Sequence, residues 1–128
     1  MKIKYSMPLA VLAGIAMGAA AMQVLHAEAK PPIYVVSEID VTNVDAYTKE
    51  YVPLARASIA KAGGKALAAG QNPTALEGPP QKSRITINVF NTLEDVQAWR
   101  NSSDYKDARK IADKYATFRA FAVEGLPQ

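Results

Sequence analysis

Tyr47 and Tyr51 stand four residues apart, one helical turn, and could present two phenols to a common cleft. The same spacing also suits an amphipathic stripe that packs both rings into a core, with the hydroxyls at its rim. Trp99 and Tyr105 could line an apolar ligand pocket, or pack a broken helix onto a sheet. Glu77, beside Gly78, is a loop carboxylate able to bind a ligand or move a proton, or else a solvated residue before a turn glycine. Glu38 and Asp40 alternate along a strand and could act as an acid/base pair, although an exposed strand face explains them as well. Arg84, Asn88 and Arg119 could face a pocket between subunits, or charge a strand edge against unwanted pairing.

The residue types that are missing exclude more. The chain has no cysteine and one histidine, His26, inside an N-terminal segment that reads as removable. The mature part therefore lacks the means for Ser-His-Asp or Cys-His nucleophilic catalysis. It also lacks the donors for a Cys/His zinc site or a histidine-ligated haem, and we expect no metal and no cofactor. Gly63-Gly64-Lys65 does not have the spacing of a phosphate-binding loop. Arg84 to Phe90 carries one aromatic residue and no glycine, unlike the central strand of an RNA-binding domain of similar topology. Asn101-Ser102-Ser103 fits a glycosylation sequon, but a helix cap accounts for it more simply.

Lys2 and Lys4, an uncharged run from Met7 to Leu25 and the small-x-small site Ala27-Glu28-Ala29 follow one another in the order of a secretory signal. Residues 1–29 are expected to be that signal and residues 30–128 the mature domain, periplasmic or secreted. The apolar run approaches the roughly 20 residues that span a bilayer, so an uncleaved segment would be an anchor and would make the protein a membrane partner. Removal of Lys2, Lys4 and Glu28 takes 15 basic and 12 acidic residues to 13 and 11, a net charge of +2. So balanced a surface gives no electrostatic footprint for nucleic acid.

The elements that must position the candidate residues follow from periodicity. Lys30-Pro31-Pro32 is a stiff linker, and Ile33 to Val41 alternates as a strand. Thr42 or Asn43 caps a helix, which Pro53 should kink or split near Tyr51 and which Gly63-Gly64 ends. Lys65 to Ala69 is a weak strand and Gly70 to Lys82 a loop, within which Thr74 to Leu76 could pair briefly. Arg84 to Phe90 is the clearest strand, with Ile85, Ile87 and Val89 on one parity and Arg84, Thr86, Asn88 and Phe90 on the other. Thr92 caps a second helix through Arg100, Asn101-Ser102-Ser103 breaks it and caps a third, and Thr117 to Glu124 is the last strand. Strand, helix, strand, strand, helix pair, strand is the order of an α+β, ferredoxin-like split βαβ domain: a four-stranded antiparallel sheet with helices on one face.

The residues also carry a family resemblance over about Pro32 to Leu126. Its pieces are Tyr34-Val35-Val36, Ala46-Tyr47, Glu50-Tyr51, Ala62-Gly63-Gly64-Lys65, Leu76-Glu77-Gly78 and Phe90 with Thr92-Leu93-Glu94. Ala98-Trp99, Ser103-Asp104-Tyr105 and Phe121-Ala122-Val123-Glu124-Gly125 complete it. In order and spacing these resemble the domain of unknown function 1330 family (DUF1330), whose members look like dimeric α/β-barrel proteins. The resemblance implies that fold and names no activity. It also implies charged residues where this chain has Ala69, Val89 and Ala112, so a site built on them in relatives is lost or changed here.

Two functions are compatible with these residues. One is a periplasmic homodimer that binds a small apolar or aromatic molecule, with Tyr47, Tyr51, Glu77, Trp99 and Tyr105 as ligand-binding candidates. The other is a cofactor-free enzyme, oxygenase- or isomerase-like, which would have to move protons with Tyr, Glu, Asp, Arg or Lys. The homodimer is expected because the strands carry apolar residues on both parities while helices cover only one face. Face-to-face pairing would then leave Arg84, Asn88 or Arg119 near the seam.

Overall fold

The computed structural model describes residues 30–127, so the expected signal segment, residues 1–29, lies outside the described residues. Strand β1 (Ile33–Val41) is central. Helix α1 (Val44–Ala46), a π turn (Tyr47–Tyr51) and helix α2 (Val52–Lys61) then follow one another without interruption, and a short turn leads to strand β2 (Lys65–Gln71). Strand β3 (Arg84–Phe90), helices α3 (Leu93–Asn101) and α4 (Ser103–Ala112), and strand β4 (Ala116–Glu124) complete the domain. The sheet order is β2-β3-β1-β4 with every neighbouring pair antiparallel, which is the split βαβ, ferredoxin-like topology. Among the described residues no helix is long and apolar enough to cross a membrane.

Side-chain chemistry sets the element ends. Asn43 is the first cap, its Oδ1 accepting from the Ala46 N–H at 3.1 Å, while Thr42 instead donates its hydroxyl to the Tyr115 carbonyl. Pro53 does not break the helix. The wider π turn just upstream accommodates it, with the Val52 N–H donating to the Tyr47 carbonyl five residues back. At the other end Gly63 has φ +82°, and the Gly63 and Gly64 N–H groups donate to Ala60 and Ile59, a Schellman closure. Thr92 Oγ1 accepts from Asp95 N–H to start α3. Ser102 ends α3 and starts α4 at once: its N–H and hydroxyl donate to the Trp99 carbonyl, and its Oγ accepts from Tyr105 N–H.

Two expectations change. β2 runs on to Gln71 through Gly70, because Gln71 pairs with Arg84 and a bulge between Ala66 and Ala68 keeps the ladder in step. Thr74 to Leu76 forms no strand: it lies in an exposed loop bounded by positive φ at Asn72 and Gly78.

All helices lie on one sheet face. β1 presents Val35 and Ile39 to them, and register then dictates that β3 presents Asn88 and Arg84, which pair with those two residues. The helix-covered side of β3 is thus its polar parity, with Phe90 as the apolar exception, and Ile85, Ile87 and Val89 point to the opposite face. Two apolar clusters form beneath the helices. Val35, Ile59, Phe90, Val96, Trp99 and Tyr105 make one; Ile39, Tyr47, Tyr51, Ala108, Ala112 and Ala116 make the other.

Candidate functional site

Between sheet and helices lies a cavity of about 70 Å³, lined by members of both clusters. That is several times the roughly 10–15 Å³ needed to hold one water. Its walls come from every layer. The π turn contributes Tyr47 and Tyr51, α3 Trp99 and Arg100, α4 Tyr105 and Arg109, β3 Arg84, Thr86 and Asn88, and β4 Phe118. Ala66, Ala68 and Ala69 of β2 also line it and are themselves exposed, so this wall is built of small side chains at the molecular surface.

The aromatic residues are packed as a chain. The Tyr47 and Tyr51 ring centroids are 5.0 Å apart, and the Phe118 ring lies 5.9 Å from that of Tyr51. Trp99 lies 4.5 Å from Tyr105 and 5.2 Å from Phe90, and its indole N–H donates to Ser58 Oγ at 3.0 Å. The Ser102 break between α3 and α4 is what allows Trp99 and Tyr105 to meet from two different helices.

Arginines supply the polar part. Arg100 Nη1 and Arg109 Nη1 both donate to the Tyr105 hydroxyl, at 3.0 and 3.1 Å. The Arg109 guanidinium carbon lies 3.9 Å from the Phe118 ring centroid, a cation–π contact, and its far side pairs with Asp113. Arg84 donates from Nη1 to Gln71 Oε1 at 3.1 Å and lies over the Tyr47 ring at 5.4 Å. Burial opposes the charge on Arg109, but the Tyr105 phenol and the Asp113 carboxylate outweigh it and raise its pKa.

Burial also raises the phenols. Tyr51 is pushed up by desolvation, reinforced by the neighbouring Tyr47. Tyr47 is raised by desolvation and drawn partly back by the Arg84 guanidinium. Both therefore stay neutral at physiological pH. A folded-state pKa above the unfolded value of about 10 gives stability that is complete below that pH and lost as pH rises beyond it. Tyr51→Phe is therefore expected to unfold less readily than the parent in alkali, the gap widening by about 1.4 kcal/mol for each pH unit above roughly 10. Urea midpoints from pH 8 to 11.5 measure this, and parallel curves for the two proteins would show that Tyr51 ionises as easily folded as unfolded.

Of the residues singled out in the sequence, the structure brings Tyr47, Tyr51, Trp99 and Tyr105 together in the cavity wall. Glu77 is exposed on the β2–β3 loop and does not line it. Arg84 and Asn88 face the cavity beneath the helices rather than a seam on the other side of the sheet. Arg119 does lie on the uncovered face, 3.3 Å from Glu38. Asp40 on that strand is tied to Lys82, so Glu38 and Asp40 hold separate cations and do not form a carboxylate pair. Sequence reasoning missed Arg100 and Arg109, because each reads as an ordinary polar position on a helix. Of the three positions where the resemblance implies charged residues, Ala69 lies on the cavity wall, Val89 on the opposite sheet face and Ala112 is fully buried in the core. Among the described residues no group of three His, Cys, Asp or Glu side chains is placed to hold a metal ion.

Comparison with curated proteins by sequence finds no match. Among solved structures the chain is similar to a protein of unknown function from Rhodopseudomonas palustris, at 17% identity and TM-score 0.57, covering 77% of this chain and 85% of that one. It is also similar to SnoaB, a cofactor-independent oxygenase from Streptomyces nogalater, at 9% identity and TM-score 0.57, covering 77% and 96%. An ethyl tert-butyl ether d (ethd) family protein from Bacillus halodurans follows at 12% identity and TM-score 0.51, covering 70% and 96%. At these identities the likeness is one of fold. The sequence itself matches the family described as Domain of unknown function (DUF1330) over residues 32–126, nearly the whole described domain, and the chain belongs to that family.

Proposed function

We propose that this protein is an exported homodimer that binds a small apolar or aromatic molecule in the cavity between sheet and helices. The observation that carries the binding reading is the composition of the cavity wall. Five aromatic residues, Tyr47, Tyr51, Trp99, Tyr105 and Phe118, meet a few directed polar groups around one space. A sheet face that served only as core would not present Arg84, Thr86 and Asn88 to its helices.

The dimer reading rests on the other sheet face. Val36, Ile85, Ile87, Val89, Phe121 and Val123 share it, and Phe121 and Val123 are 46% and 50% exposed. The polar pair at its middle, Glu38 with Arg119, compensates its own charge and so is compatible with burial against a second copy. Export rests on the order of charge, apolar run and small-x-small site in residues 1–29.

The second reading is a cofactor-free enzyme, and the fold likeness to a cofactor-independent oxygenase suits it. The cavity favours binding. Neither a carboxylate nor a histidine is among its lining residues, and burial holds the Tyr47 and Tyr51 phenols neutral, so the cavity offers no ready general base there. Native mass spectrometry of protein isolated from its host tests each part. The expected species is a dimer beginning at Lys30 with an unaltered small molecule bound. A monomer sinks the dimer, an intact Met1 sinks cleavage, and a bound molecule that emerges chemically changed moves the reading to catalysis.

A further inference from the structure

We infer that the ligand is a small organic anion, a carboxylate on an apolar body, received by Arg84, Arg100 and Arg109. This deepens the binding reading and rests on it. Four arginines line the cavity, these three and Arg56, with no Asp or Glu among the lining residues. Arg109 has Asp113 as counter-ion, but among the described residues Arg84 and Arg100 are paired with no carboxylate. Their polar neighbours are neutral oxygens: Gln71 and the Tyr47 phenol for Arg84, and Tyr105 for Arg100. Tyr105 thus holds two guanidinium groups together on a single phenol oxygen, against their mutual repulsion. Arg84, half-buried and without a counter-ion, is the costly one, and an anion in the cavity relieves that cost, with Arg100 reaching it from the exposed rim.

A second, independent observation comes from Arg84. Its Nε is buried and has no hydrogen-bond partner, the only such side-chain nitrogen or oxygen among the described residues. Gln71 engages Nη1, which leaves the Nε edge of the guanidinium. That edge is one of the two forks that match both oxygens of a carboxylate. A buried donor left unpaired in a cavity wall is explained by a ligand that pairs with it. The remaining wall selects what the carboxylate is attached to. Ile39, Phe118, Trp99 and Ala69 offer apolar contact to the body that carries it, which a free phosphate lacks.

Calorimetric titration of the full mature protein tests this with paired probes: propionate against propionamide, benzoate against benzamide, and inorganic phosphate alongside. The acids are expected to bind at least tenfold more tightly than their isosteric amides and than phosphate. Arg84→Gln should abolish at least tenfold of that affinity, whereas Lys106→Gln, an equal charge change on an exposed residue outside the cavity, should not alter it. If Arg84→Gln does not fold, as judged by circular dichroism, Arg100→Gln at an exposed position carries the same test. Amides binding as well as acids, or phosphate binding as well as the carboxylates, would overturn the anion inference and leave the cavity as a binding site. Failure of acids and amides alike would remove the binding reading itself.

Discussion

Trp99→Ala is expected to lower stability by about 3–5 kcal/mol, the range for deleting a large buried aromatic residue. The indole is 4% exposed and touches three elements at once. It stacks against Phe90 of β3, meets Tyr105 of α4, and donates its N–H to Ser58 of α2. Its loss would leave a void between sheet and helices, next to the cavity already there, and take a donor from a buried hydroxyl. Ser58 keeps its own bond to the Ala55 carbonyl, so the hydroxyl is not wholly stranded. Trp99→Phe retains a ring but not the N–H and is expected to cost less, about 1–2 kcal/mol, a hydrogen bond plus the trimmed volume. Urea denaturation gives both numbers. A midpoint for Trp99→Ala close to that of the parent would mean that α3 is not anchored through this ring.

Adjacent glycines should respond to substitution for opposite reasons. At Gly64 a β-carbon would lie 2.5 Å from Phe90 Cε1 and 2.9 Å from Ile59 Cγ2. Phe90 is 1% exposed and has nowhere to move, so Gly64→Ala is expected to cost about 1–3 kcal/mol through overpacking. At Gly63 a β-carbon would meet nothing within 4 Å, but the backbone sits at φ +82°. Alanine there carries conformational strain of about 1–2 kcal/mol, and asparagine, which tolerates the left-handed region, carries less. Thermal melts of Gly63→Asn, Gly63→Ala and Gly64→Ala should therefore fall in that order of decreasing stability. For a domain of this size each kcal/mol corresponds to about 4–8 °C. Gly64→Ala melting with Gly63→Asn would show that the Phe90 ring yields.

The amino-acid sequence by itself determined the elements and their order. Alternation over Ile33 to Val41 and Arg84 to Phe90, a cap at Thr42 or Asn43, the cap at Thr92, and the stop at Gly63-Gly64 are local effects. They depend on neighbours within a few residues, so they can be read along the chain. The same holds for the break at Ser102, and for the four-residue spacing that places Tyr47 and Tyr51 together. Pro53 was legible as a disturbance but not in kind. A lost donor permits a kink, a split or a widened turn, and the chain takes the π turn, with both tyrosines buried. Tertiary structure alone decided which parity of β3 lies under the helices. An amphipathic reading would turn Ile85, Ile87 and Val89 inward, yet pairing of Arg84 with buried Ile39 and of Asn88 with buried Val35 sends the polar set there. It also decided that Arg84, Arg100 and Arg109 converge. They come from a strand and two helices, and no spacing along the chain encodes the register and docking that bring three like charges to one cavity.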